Sequence, residues 1–237
     1  MKRTIFTGLL AGTVLMFGAA TAQADILTFN LDYAFSGTVP NSSSPFLIAT
    51  FKDGTDCPTC AAGTVELILT SNLDAAGEFA SEWDLNSKVA LTGITASTTS
   101  GSFNAPTIEA FSEDHYKADG DGLYDFGFLF DTSGGSSTTR FDGSDSATFI
   151  LSAASAINVL TFQQLSTDAG GSGPFYTAAH IQGIGASSCS GWVSDGNGLS
   201  GAASGTTTCA SVPDSGTTVG LLGLAMLGLG ILRRRLA

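Results

Sequence analysis

Residues 27–35 alternate without a break. Leu27, Phe29, Leu31, Tyr33 and Phe35 share one face, and Thr28, Asn30, Asp32 and Ala34 share the other. A period of two marks a strand with one buried side. The same rhythm returns in Tyr124, Phe126, Phe128 and Phe130, and again in Ala147, Phe149 and Leu151. Shorter strand candidates fall at 46–51, 64–70, 88–94, 157–163 and 176–184. Gly, Ser, Thr, Asn and Asp fill the gaps between them, as turns require. No stretch of 25–212 sustains an apolar period of 3.6, and only 74–83 suggests a short helix. Many short strands with turn signals predict a mostly β domain over 25–195, an antiparallel β-sandwich or jelly roll. Residues 196–211, rich in Gly, Ser, Ala and Thr, read as a linker.

The two ends break this pattern with continuous apolar runs. Lys2 and Arg3 precede an apolar stretch from Ile5 to Ala20, and Ala22-Gln23-Ala24 fits the small-x-small cleavage rule. Residues 1–24 therefore read as a signal peptide, with Asp25 as the new N-terminus after signal peptidase. At the other end, Val212-Pro213-Asp214-Ser215-Gly216 is followed by an uncharged run from Thr217 to Leu232, then Arg233-Arg234-Arg235. As a helix the run spans roughly 24 Å at about 1.5 Å per residue, a short membrane crossing. The three Arg hold its end on the cytoplasmic side, which puts the rest of the chain outside.

This tail, residues 212–237, resembles the PEP-CTERM group of bacterial sorting signals, in the variant that begins Val-Pro-Asp-Ser-Gly. The sorting residues are then Val212, Pro213, Asp214, Ser215, Gly216, Arg233, Arg234 and Arg235. The resemblance implies processing by an exosortase, transient anchoring in the membrane through the tail, and a final place at the cell surface or outside the cell. It also implies an association with extracellular polysaccharide. The middle resembles a recurrent ectodomain of such proteins in Gly63-Thr64-Val65-Glu66-Leu67, Asn72-Leu73, 118–125 and 179–185. That resemblance carries architecture and no assigned activity.

Charge narrows the partners. Between Asp25 and Asp195 stand 20 acidic residues against Lys52, Lys88, Lys117 and Arg140, a net of −16. Such a field repels nucleic acid and suits divalent cations or plain solubility.

Chemistry-bearing groups are few. Four cysteines, Cys57, Cys60, Cys189 and Cys209, permit three pairings in an oxidising compartment. Cys57–Cys60 and Cys189–Cys209 are favoured because each pair lies in one local segment. Asp119, Asp121 and Asp125 stand at positions 1, 3 and 7 of a Gly-rich turn that could converge on Ca²⁺, although Phe130 occupies the place of the closing acidic ligand of an EF-hand loop. The competing reading is an Asp-Gly turn entering a strand. His115 and His180 have no partner visible in sequence, and Trp83 and Trp192 read as core residues or as sugar-stacking platforms. No G-x-S-x-G, H-E-x-x-H or Walker loop is present. The expected function is an exported surface or matrix protein without catalysis. The alternatives are a Ca²⁺- or carbohydrate-binding module and a secreted polysaccharide hydrolase, which would need two facing carboxylates.

Overall fold

The computed structural model describes residues 25–119, 121–133, 139–143 and 145–209. Among them are fifteen strands: β1 (Ile26–Leu31), β2 (Tyr33–Gly37), β3 (Leu47–Lys52), β4 (Val65–Ser71), β5 (Phe79–Leu85), β6 (Leu91–Ser100), β7 (Thr107–Glu109), β8 (Tyr116–Ala118), β9 (Gly122–Tyr124), β10 (Phe126–Leu129), β11 (Ser146–Ala153), β12 (Thr167–Asp168), β13 (Thr177–Ile184), β14 (Cys189–Ser194) and β15 (Gly201–Ala202). They form a five-stranded sheet in the order β1-β3-β4-β11-β6, a seven-stranded sheet β15-β2-β14-β13-β5-β10-β7, and a three-stranded sheet β12-β9-β8. All pairings are antiparallel except β15 on β2, so the seven-stranded sheet is mixed.

The five- and seven-stranded sheets share one apolar core. Phe128 of β10 meets Phe149 of β11 with ring centroids 4.2 Å apart, and Phe51 of β3 stacks on Phe162 at 4.4 Å. Each fully buried ring of this kind contributes about 1.5–3 kcal/mol through removal from water. A second, smaller cluster of Tyr33, Phe35, Ala118, Tyr124, Phe175 and Ala178 lies where the three-stranded sheet covers the other face of the seven-stranded one. The seven-stranded sheet is thus covered on both sides.

That double cover explains why two long alternating runs are not single strands. The run 27–35 changes sheet at Asp32: Phe29 and Leu31 enter the main core, whereas Tyr33 and Phe35 enter the second cluster. The run 124–130 changes sheet at Asp125: Tyr124 joins the second cluster, and Phe126, Phe128 and Phe130 join the main core. The alternation of Ala147, Phe149 and Leu151 holds, and all three are buried.

Three expectations need correction. No helix forms at 74–83; its C-terminal half opens strand β5. Residues 157–163 hold a 3-10 helix, Val159–Phe162, in place of a strand, because Asn158 and Thr161 cap its backbone reciprocally. The supposed linker is ordered onto the domain as far as Cys209. A 3-10 helix at Gly196–Gly198 leads to β15, Thr207 bridges Thr38, and Cys209 is bonded to Cys189. The signal-peptide residues 1–24 and the tail 212–237 lie outside the described residues. Among the described residues no helix is long and apolar enough to cross a membrane.

Candidate functional site

The site begins with a fault in strand β5. Glu82 pairs with His180 of β13 while Ala80 pairs with Ile181, so Ser81 is an extra residue, a β-bulge. The bulge resets the alternation. Ala80, Trp83 and Leu85 enter the main core, and Glu82 and Asp84 fall on the opposite face. There Asp84 stands in a cross-strand row: Gly127 of β10 is opposite Asp84 on one side and opposite Glu109 of β7 on the other.

Two strand spacings, about 10 Å, separate the backbones of Asp84 and Glu109. Their side chains meet because the residue between them is glycine. A Cβ at Gly127 would lie 2.8 Å from Asp84 Oδ1, closer than real contacts allow, and 3.0 Å from Glu109 Oε2, a crowded contact. One oxygen from each of Glu82, Asp84 and Glu109 lies within 4.8 Å of the other two. Among the described residues, this is the group of three acidic, His or Cys side chains with that spacing.

The electrostatics are severe. Asp84 is fully buried, and neither of its carboxylate oxygens has a hydrogen-bond partner among the described residues; Glu109 Oε2 is equally bare. Burial, and then the charges of Glu82 and Glu109, push the Asp84 carboxyl well above the ordinary carboxylate range. Burial followed by Glu109 raises Glu82. Burial raises Glu109, and the neighbouring His115 partly offsets this. The Tyr116 hydroxyl is raised by burial and then by Glu109 and Asp84, and it donates to Ala110 O at 2.7 Å.

Farther along the same face, His180 packs flat on Trp192, with centroids 4.9 Å apart and planes 18° from parallel. Its Nδ1 is 3.1 Å from Ser81 Oγ, which also accepts from Gln182 Nε2 at 3.1 Å. Burial lowers the His180 pKa, and the nearby Asp119 carboxylate partly restores it.

The residues singled out from sequence go to separate places. Asp125 accepts from the amides of Ser87 at 2.9 Å and Asp114 at 3.0 Å, and so pins the sheet-changing corner. Asp119 accepts from Ser36 Oγ and adopts a left-handed backbone, φ 37°. Asp121 is buried beneath Tyr124, whose hydroxyl reaches its Oδ2 at 3.5 Å. Burial raises Asp121 to about 6; the Gly173 and Ser172 amides and the Tyr124 hydroxyl limit the rise. Each of the three carboxylates has its own partner, and they are not brought together as a ligand set. The disulfides are Cys57–Cys60 and Cys189–Cys209. Trp83 is fully buried, donating to Thr177 Oγ1 at 2.9 Å, so it presents no face to a sugar; Trp192 is half-buried with one face on His180.

The trio was not legible in the sequence. Glu82-Trp83-Asp84 and Glu109 are separated by 24 residues or more, and neither follows a motif. The usable signal was the isolated Gly127 inside an otherwise aromatic strand, which marks a close approach.

Comparison with known proteins bears on the C-terminal end alone. Residues 211–236 match the VPDSG-CTERM motif. This is the PEP-CTERM-type sorting signal variant that exosortases process, so the chain carries the mark of an exosortase-sorted exported protein. No curated protein and no solved structure matches the chain.

Proposed function

We propose that this is a surface or extracellular-matrix protein built as a β-sandwich, exported through its N-terminal signal and sorted through Val212–Gly216 and the apolar run and Arg cluster behind it. The observation that carries the reading is the VPDSG-CTERM match, which has motif, apolar run and basic end in the required order. Two disulfides support it, because such bonds persist in oxidising compartments. The sandwich reading rests on the two sheets that share the main core.

The domain acts in this reading as a binding or structural module and not as a catalyst. Support comes from what surrounds its polar groups: Asp125 is occupied by amides, and the Asp84 carboxylate is itself buried. The test is export of the whole chain in a host that has an exosortase. Fractionation should find the protein at the surface or in the medium, shortened at its C-terminus. A chain lacking 212–237, or carrying Pro213→Ala and Asp214→Ala, should lose that shortening. An unprocessed wild-type chain confined to the cytoplasm overturns the reading.

A further inference from the structure

We propose that Glu82, Asp84 and Glu109 form a Ca²⁺ site on the outer face of the seven-stranded sheet. The inference is independent of the sorting reading and concerns the folded domain wherever it resides.

Asp84 is the starting point. A carboxylate removed from water with no donor, in the company of two more carboxylates, is strongly disfavoured unless it is neutralised. The protein offers little to neutralise it. Lys88 reaches Leu160 O at 2.8 Å, and the Arg140 guanidinium lies 4.2 Å from the centroid of the Phe79 ring. His115 is close to Glu109 but packs edge-on against Tyr116. The unmet demand is for positive charge at one point.

The donor set narrows the ion. Oxygen ligands lie about 2.4 Å from Ca²⁺, so ligands of one ion are at most about 4.8 Å apart. The oxygens of Glu82, Asp84 and Glu109 meet that bound. Mg²⁺ holds strict octahedral geometry and gives up its water reluctantly, so a dry, fully buried carboxylate suits it less than Ca²⁺. The donor set is oxygen only, which favours a hard cation over zinc or copper. Glu82 and Glu109 are half-buried, so water can complete the shell from the open side.

Gly127 supplies the room. Any side chain there would project between Asp84 Oδ1 and Glu109 Oε2. Glycine in the interior of a strand weakens it, and close approach of a ligand is a recognised reason to keep it. The bulge at Ser81 completes the arrangement by placing Glu82 and Asp84 on one face while Trp83 stays in the core.

The experiment uses the full chain, purified in mild detergent and stripped with chelator, then titrated with CaCl₂ by calorimetry and followed by thermal melting. Binding at one site is expected with a dissociation constant on the order of 10⁻⁴–10⁻³ M, the range of extracellular modules, together with a rise in melting temperature. Mg²⁺ should bind more weakly. Asp84→Asn should abolish the Ca²⁺ response while melting at or above the metal-free wild type, because it removes a buried charge. Glu109→Gln, at the half-buried rim, should weaken binding about tenfold or more for the loss of one carboxylate ligand. Gly127→Ala tests the space without altering charge and should also lose the response. Asp119→Asn and Asp121→Asn should retain it. No Ca²⁺ response in the wild type overturns the proposal. So does a response that survives Asp84→Asn and Glu109→Gln, or one lost in Asp121→Asn.

Discussion

Asp121, buried, and His180, half-buried, should shape the pH dependence of stability in opposite ways. Asp121 has a folded pKa of about 6 against an ordinary value of 3.8. Between these values the native state keeps a proton that the unfolded chain has released. Stability therefore falls as pH rises from about 4 through 6, by at most about 1.4 kcal/mol per unit. Asp121→Asn should raise the melting temperature at pH 7.5 and leave it nearly unchanged at pH 4. His180 is lowered below its ordinary 6.5. As pH falls through 6.5 the unfolded chain takes up the proton first, so stability declines on the acid side until the folded pKa is reached. An NMR titration should place the His180 midpoint below 6.5, and His180→Gln should remove this part of the acid-side loss.

At the level of elements, sequence pattern and structure agree where a strand faces one core and part where the chain changes layer. The alternation of β11 reads directly because Ala147, Phe149 and Leu151 all face the main core. Tyr33 and Phe35 continue the rhythm of Phe29 and Leu31, yet they serve another cluster; period-two alternation does not say which sheet a residue joins. Strand β5 was hidden for a different reason. Its bulge puts Ala80 and Trp83 on one face at a spacing of three, which imitates a helix. The acidic trio was hidden with it, since the bulge decides where Glu82 and Asp84 point.

The Gly/Ser-rich segment after β14 was misleading by composition, because its order comes from the Cys189–Cys209 bond and the edge of β2. Closing a loop of that length stabilises by about 3 kcal/mol in the chain-entropy model, against about 2 for the Cys57–Cys60 loop. Replacing Cys189 and Cys209 together by Ala should therefore lower stability more than replacing Cys57 and Cys60. Hydrogen exchange should quicken at Val39 and Thr207, whose amides cross between the two segments at 3.2 Å and 2.9 Å.

For the molecule as a whole, the two ends of the described chain connect the fold to its export. The Asp25 amide donates to Asp53 Oδ1 at 3.1 Å, and the other oxygen of Asp53 accepts from Val159 at 2.9 Å. Cleavage after Ala24 would turn that amide into an ammonium group beside a buried carboxylate, a charge-assisted bond stronger than the neutral one. N-terminal sequencing of exported protein should begin at Asp25. Asp53→Asn should then destabilise the processed chain more than the unprocessed one, in paired thermal melts.

At the other end, the disulfide ties Cys209 to the sheet, and Val212 follows only three residues later. Three extended residues reach roughly 10 Å. If an exosortase cuts at the motif, the disulfide at Cys209 keeps the cut within a few residues of the folded domain. Inserting a short Gly-Ser spacer after Cys209 should speed trimming in a pulse-chase, because the enzyme would gain clearance.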